Sequence, residues 1–240
     1  VRSSAASDVY KRQAHRQRPL LPCEYEQLVL QEFPGLAKVK CLRGIDAKSL
    51  NRTTVVTLVA IRNRISEDWP LCTDRLLCGI EAFLRPYTSP FAEIDAINPV
   101  YEEVTVFCGV SLKDGQQAGE AISDINRNLC RCIAPWNEGQ KEPVLGYSFS
   151  IRDLVSCIRE NPAVEALHGM KLLQVMGEEE KFGLKAYTSE QDENQMIAPS
   201  VPWGILVPAV RQYVKLIEPG EWRQDIEFGD LEVENTFVIQ

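Results

Sequence analysis

The chain has 240 residues, 45% of them hydrophobic and 25% charged, an ordinary globular composition that can bury one large core or two small ones. Its formal charge is −8, but Arg2, Lys11, Arg12, Arg16 and Arg18 all fall in the first 18 residues; without that segment, Asp8 included, 21 bases face 33 acids, a net of −12. Such a surface repels phosphate and excludes nucleic acid as a partner, and no apolar run approaches the roughly 20 residues of a membrane helix, so the chain is expected to be cytosolic when made, with no membrane partner.

Residues 1–13 (VRSSAASDVYKRQ) show no periodicity and no initiating methionine. We read residues 1–18 as a disordered or non-native leader and the chain as a truncated one. A helix is predicted from Pro22, with Tyr25, Leu28, Val29 and Phe33 on one face and Pro34-Gly35 ending it. A strand through Ala37, Val39 and Cys41 follows. After a polar turn over residues 46–52, Thr53 to Ile61 is β-branched and apolar almost throughout, as expected of a central strand covered on both sides. Beyond a polar loop at 62–68, a helix is predicted over residues 70–84, from the spacing of Leu76, Leu77, Ile80, Phe83 and Leu84. A short strand at Ile94, Ala96 and Ile97 completes a first module, α-β-β-α-β, over residues 19–99.

Val104, Val106, Cys108, Val110 and Leu112 alternate with Glu103, Thr105, Phe107, Gly109 and Ser111, which marks a half-buried strand. Asp114 is placed to cap the next helix, with Gln117 reciprocating, and Ala118, Ile122, Ile125, Leu129 and Ile133 form its buried face up to Pro135. After a connector from Trp136 to Tyr147, Ser150 caps a helix with Leu154, Val155 and Ile158 inward. A strand from Val164 to about Val175 closes a second module, β-α-α-β, over residues 100–176. The unit helix, proline, strand is thus used twice, at Phe33-Pro34-Gly35-Leu36 and at Asn161-Pro162-Ala163-Val164. Residues 177–201 are acidic and polar and read as a surface loop. Trp203 to Val207, Val214 to Ile217 and Leu231 to Ile239 read as strands, with turn chemistry at Phe228-Gly-Asp-Leu231, giving a C-terminal β extension over 202–240. The fold class is α+β: two small α/β modules, ferredoxin-like in style, with that extension.

Little in the chain carries chemistry, and no catalytic, cofactor-binding or metal residue is assigned. The eight cysteines are read as reduced core filler, with Cys41 and Cys108 in strands and Cys72, Cys78, Cys130, Cys132 and Cys157 in helices. No CxxC occurs, Cys130 and Cys132 point to different helix faces, and the histidines are His15 and His168, so metal binding is not expected. Gly109, Gly115 and Gly119 lack the lysine and Ser/Thr of a phosphate loop. His168 has no carboxylate partner fixed by sequence, and Ser148 and Ser150 stand in no GxSxG elbow. Glu102 and Glu103 alternate across a strand, so one is expected to be exposed and the other an edge charge. Trp69, Trp136, Trp203 and Trp222 fit interface anchors and core edges equally.

The order of elements and several stretches together resemble the C-terminal part of baseplate J-like proteins, wedge components of contractile phage tails and contractile injection systems. The stretches are His15-Arg-Gln-Arg18, Cys23-Glu-Tyr-Glu-Gln-Leu-Val-Leu30, Phe33-Pro-Gly-Leu-Ala-Lys-Val-Lys-Cys41, Thr88-Ser-Pro-Phe91 and Asn98-Pro-Val-Tyr-Glu-Glu-Val104. Further on come Tyr147-Ser-Phe-Ser-Ile-Arg-Asp-Leu154, Asn161-Pro-Ala-Val164, Trp203-Gly-Ile-Leu-Val-Pro208 and Gly229-Asp-Leu-Glu-Val-Glu-Asn-Thr-Phe-Val-Ile239. The last looks most like the injection-system branch. The resemblance covers residues 15–240 and implies a scaffold without catalytic residues or cofactor. Its implied partners are copies of itself and other baseplate and sheath-proximal subunits. It also implies assembly in the cytoplasm and then a place in a tail or injection-system particle. The alternatives are a small ferredoxin-like enzyme or enzyme-associated domain, which a deep pocket with convergent titratable groups would favour, and a ligand-binding module.

Overall fold

The computed structural model describes residues 19, 21–44, 55–62, 69–115, 117–136, 143–178, 181–188 and 194–217. The leader, the turn at 46–52, most of the loop at 62–68, Trp222, the turn at 228–231 and the strand expected at Leu231 to Ile239 lie outside the described residues. The chain is an α+β protein and divides into two compact units, Val1–Pro99 and Val100–Gln240.

In the first unit, helix α1 (Pro22–Glu32) leads into strands β1 (Leu36–Arg43) and β2 (Val55–Arg62), then helix α2 (Asp74–Leu84), a 3-10 turn (Arg85–Tyr87) and strand β3 (Glu93–Ile97). The sheet order is β1-β2-β3, with β1 antiparallel and β3 parallel to the central strand. All six interior residues of β2 are buried, as its unbroken β-branched and apolar run requires. Val56, Leu58 and Ala60 meet Tyr25 and Val29 of α1 and Ile80 and Leu84 of α2 in one core. Helix α2 begins at Asp74, four residues later than the pattern predicts. The Cys72 N–H donates to Asn98 Oδ1 at 2.8 Å and Asn98 Nδ2 donates back to the Cys72 carbonyl at 3.1 Å, which holds this stretch extended. Cys72 is therefore not a helical residue.

On each outer strand of this sheet one amide is met by a glutamate from the adjoining helix. Glu26 Oε1 of α1 accepts the Cys41 N–H at 3.0 Å and lies 3.4 Å from Lys40 Nζ. On the far edge Glu81 Oε1 of α2 accepts the Ala96 N–H at 3.0 Å. Each carboxylate satisfies an amide that an edge strand would otherwise offer to another chain.

The second unit is built on strand β4 (Val100–Leu112), followed by helix α3 (Ala118–Ile133), a short strand β5 (Phe149–Ser150), helix α4 (Ile151–Arg159), strands β6 (Val164–Glu178), β7 (Lys181–Thr188) and β8 (Met196–Ile197), and strands β9 (Gly204–Pro208) and β10 (Tyr213–Leu216). On one side β4 pairs antiparallel with β6, and β6 pairs with β7. On the other side β9 and β10 lie end to end, both parallel to β4, at Val100–Val104 and Phe107–Val110. The core is a single layer between helices and sheet: Ile125, Leu129 and Ile133 of α3 and Leu154, Val155 and Ile158 of α4 against Val104, Val106, Cys108 and Val110 of β4, Met170 and Leu172 of β6 and Leu206 of β9.

Two expectations for the C-terminal half are corrected. Residues 177–201 are not one surface loop, because β6 continues to Glu178 and pairs in unbroken register with β7, from Lys171↔Thr188 to Glu178↔Lys181. The stretch reads as polar because β7 is an edge strand in which, among its described side chains, Tyr187 is buried. Residues 204–216 are not an extension added to a finished module, since β9 and β10 supply the second edge of β4. A third correction concerns α3, whose N-cap is Gln117 without a side-chain bond. Asp114 sits in the turn closed by Gly115 at φ +82°, too early to cap.

The repeated unit is repeated in its bonds. At its start, a carboxylate three residues into each helix accepts the N–H of the residue before it: Leu21 to Glu24 Oε2 at 3.0 Å, and Ser150 to Asp153 Oδ2 at 2.8 Å. At its end, each proline occupies the second position of a turn, with Leu36 N–H donating to the Phe33 carbonyl and Val164 N–H to the Asn161 carbonyl, both at 3.1 Å. In the second copy the Ser150 hydroxyl also accepts the Asp153 N–H at 3.2 Å, so the expected cap is present.

Between β9 and β10 the ladder on β4 would fail for one rung, and the side chain of Gln212 supplies it. Its Oε1 accepts the Val106 N–H at 2.6 Å, and its Nε2 donates to the carbonyls of Val104 at 3.2 Å and Ala209 at 3.1 Å. Gln212→Ala is expected to destabilise the second unit by about 1–3 kcal/mol, the cost of an unpaired inner amide, and to accelerate hydrogen exchange at Val106.

The Ser150 hydrogen bonds hold the Asp153 carboxyl below its ordinary value of 3.8, first through the backbone N–H and then through the hydroxyl. A depressed carboxyl contributes stability that is fully present above pH 3.8 and lost as pH falls through the folded value. Asp153 is exposed, so the contribution is small. A carboxyl-carbon NMR titration is expected to show Asp153 ionising below 3.8, and Asp153→Asn is expected to flatten the acid limb of the stability curve.

Candidate functional site

Glu102 of β4, Gln174 of β6 and Tyr187 of β7 form a buried polar cluster in the second unit. Glu102 is fully buried. It has the same parity along β4 as Val104, Val106 and Cys108, so strand geometry directs it to the core face. Its Oε1 accepts the Ser200 N–H at 2.7 Å and the Ser200 hydroxyl, and its Oε2 accepts from Gln174 Nε2. Gln174, also fully buried, donates to the Ala198 carbonyl at 3.0 Å and accepts from the Tyr187 hydroxyl at 2.7 Å. Burial and then the Glu102 charge push the Tyr187 hydroxyl above its ordinary pKa.

Every donor in this network meets an acceptor, so the cluster acts as a lock. One carboxylate and one amide fasten the segment after β8 to three strands. The expectation that Glu102 and Glu103 are exposed or edge charges is therefore wrong for Glu102. The signal was in the sequence, since residue 102 falls in phase with the apolar positions of β4.

The remaining candidates separate cleanly. His168 Nε2 lies 3.2 Å from Ser111 Oγ, a pair brought together where β4 and β6 slip register and Gly169 takes a left-handed φ of +65°. Ser111 is buried and also donates to the Ala166 carbonyl at 3.5 Å, so its hydroxyl braces a β-bulge and presents no exposed nucleophile. Among the described residues no group of three or more His, Cys, Asp or Glu is placed to hold a metal ion. No helix among them is long and apolar enough to cross a membrane.

All eight cysteines are free thiols, but they are not uniformly core filler. Cys41, Cys72 and Cys108 are buried, and burial pushes Cys72 up to about 11, against the lowering charge of Arg62, and Cys108 up to about 12. Cys23 and Cys78 are exposed, because the buried faces of α1 and α2 run through Tyr25 and Val29 and through Ile80 and Leu84. Cys130, Cys132 and Cys157 are half-buried on α3 and α4.

An open groove of about 620 Å³ follows the seam of α3 and α4, edged by charges of both signs from Glu120, Asp124, Arg127, Arg131 and Glu160. Asp124 and Arg127 pair with each other at 3.1 Å. Charges of both signs spread along an open seam, two of them paired, do not converge on one reacting atom. At the other end of these helices Trp136 meets Tyr147 edge to face at 5.8 Å. Of the other tryptophans, Trp203 is buried and Trp69 is exposed. Among the large apolar side chains offered outward, the most exposed are Phe91, 87%, in the first unit, and Val210, 93%, in the second. Val210 stands beside the Gln212 rung and near Tyr213, whose ring stacks on Phe107 at 4.8 Å.

Replacing Glu102 with Gln puts an N–H₂ against either the Ser200 donors or the Gln174 donor, and turning Gln174 over would break its bonds to Ala198 and Tyr187. Glu102→Gln is therefore expected to cost about 1–3 kcal/mol in urea unfolding of the second unit, and Tyr187→Phe, which removes one bond, about 0.5–1.5 kcal/mol. Equal losses from the two substitutions would count against the lock.

No protein-family model matches the chain, and no curated protein matches it. Among solved structures it is similar to a chain of the cryo-EM structure of the anti-feeding prophage (AFP) baseplate, six-fold symmetrised. The TM-score is 0.55 at 19% identity, over 86% of this chain and 42% of that one. At this identity the likeness establishes a common fold, and the chain spans less than half the length of that neighbour.

Proposed function

We propose that the chain is a structural baseplate component of a contractile injection system or contractile phage tail, in the role of a baseplate J-like wedge protein. The observation that carries this reading is the fold likeness to an AFP baseplate chain across both units, 86% of the sequence. The stretches from Cys23 to Leu30 and from Trp203 to Pro208, which resemble the baseplate J-like family, lie in α1 and in the β9 region.

The internal chemistry supports a scaffold without catalysis or cofactor. Glu26, Glu81, Glu102, Gln174 and Gln212 are engaged in closing strand edges and fastening segments. Outward apolar groups such as Phe91 and Val210 are the kind of surface that an assembly covers. In this reading the partners are further copies of the chain and other baseplate and sheath-proximal subunits, with assembly in the cytoplasm and a final place in the particle. The net charge of −12 outside the first 18 residues argues against contact with packaged nucleic acid.

Affinity purification of the tagged protein from its native host, with mass spectrometry and negative-stain imaging, tests this. Recovery with sheath, tube and other baseplate subunits in ring or star-shaped particles is the expected result. Recovery as a lone monomer carrying a small molecule would overturn it in favour of a ligand-binding module.

A further inference from the structure

Helices α3 and α4 are joined along their seam by two cysteine contacts that mirror one another. Cys132 Sγ on α3 reaches the Asp153 carbonyl of α4 at 4.0 Å, and Cys157 Sγ on α4 reaches the Asn128 carbonyl of α3 at 3.4 Å. Asp153 precedes Cys157 by four residues and Asn128 precedes Cys132 by four, so each thiol lies over the helical turn that ends at the other cysteine. Helical side chains lean toward the N-terminus of their own helix. On two helices whose contacts run antiparallel, that lean brings the two sulfurs toward each other. Both cysteines border the groove described above.

We propose that Cys132 and Cys157 are a redox-active pair that closes to a reversible disulfide across α3 and α4 on meeting a small-molecule disulfide of the glutathione class. Cys157 is the attacking group. The hydrogen bond from Cys132 lowers its pKa, helped by Arg131 and opposed by burial and Glu160, whereas the same bond raises Cys132.

The Cys157 thiolate attacks one sulfur of the small disulfide, whose S–S bond breaks. This leaves a mixed disulfide on Cys157 and one small thiolate, which takes up the Cys157 proton. Cys132 then gives its proton to a second departing small thiolate as its sulfur attacks Cys157 Sγ and breaks the mixed disulfide. Two protein thiols are oxidised and one small disulfide is reduced to two thiols.

Cys41, Cys72 and Cys108 are buried, and Cys23 and Cys78 are exposed on the other unit, where they serve as internal controls. In a reducing compartment α3 and α4 are held by packing and the two thiol–carbonyl contacts, and in an oxidising one they are cross-linked. The pairing concerns the second unit itself and does not rest on the proposed assembly role.

The test uses the full chain equilibrated in glutathione redox buffers, quenched with an alkylating agent and digested with trypsin. Peptide 132–141 is expected to be joined to peptide 153–159, separate from Cys130 in peptide 128–131, and to be released by dithiothreitol. In Cys132→Ser, Cys157 is expected to retain a glutathione adduct; in Cys157→Ser the cross-link is lost and Cys132 stays reduced. The proposal is overturned if both peptides are alkylated singly under conditions in which Cys23 and Cys78 carry glutathione. It is equally overturned if the cross-link forms only in denaturant.

Discussion

The second unit depends on the backbone of β4 being hydrogen-bonded along both edges. Thirteen residues long, this strand has β6 on one side and two separate short strands on the other. A strand in that position has no tolerance for missing partners, because an inner amide without an acceptor costs as much as a sizeable core truncation. Gln212 closes the single break with a side-chain amide that stands in for a peptide group. The alignment of β4 then fixes where its inward side chains meet α3 and α4, and it carries Glu102 to the lock under β6 and β7.

The same economy of polar groups runs through the first unit, where Glu26 and Glu81 satisfy outward amides of β1 and β3. The two units therefore keep much of their strand-pairing capacity for themselves. At Cys41 and Ala96 the outward amides are thus already taken and are not offered to an added strand.

Much of this was legible in the sequence because burial imposes periodicity. The unbroken apolar run of β2, the alternation of β4, the helical stripes of α3 and α4 and the doubled helix–proline–strand unit are each direct consequences of which face is covered. What escaped depends on contacts distant in sequence. Residues 181–188 look like loop because one face of an edge strand is wet. The late start of α2 is imposed by Asn98, 26 residues away. Strands β9 and β10 are short enough to pass for a tail, and only their pairing with β4 shows that they belong to the sheet. The burial of Glu102 is visible in its parity but runs against the rule that a charged residue is solvated. The facing of Cys132 and Cys157 has no signature in spacing, since it depends on how two helices pass each other.

The pairing of Val106 with Gln212 spans 106 positions of the chain. A growing polypeptide therefore exposes β4 with one edge bare until residues 204–216 have left the ribosome, long after α3, α4 and β6 are available to fold. Contacts of such sequence separation form late and slowly, and the bare edge is the part of the nascent protein most prone to pair with a neighbour. Completion of this unit is thus gated by the emergence of its last described strand, which makes the maturation of the chain vectorial from its amino end.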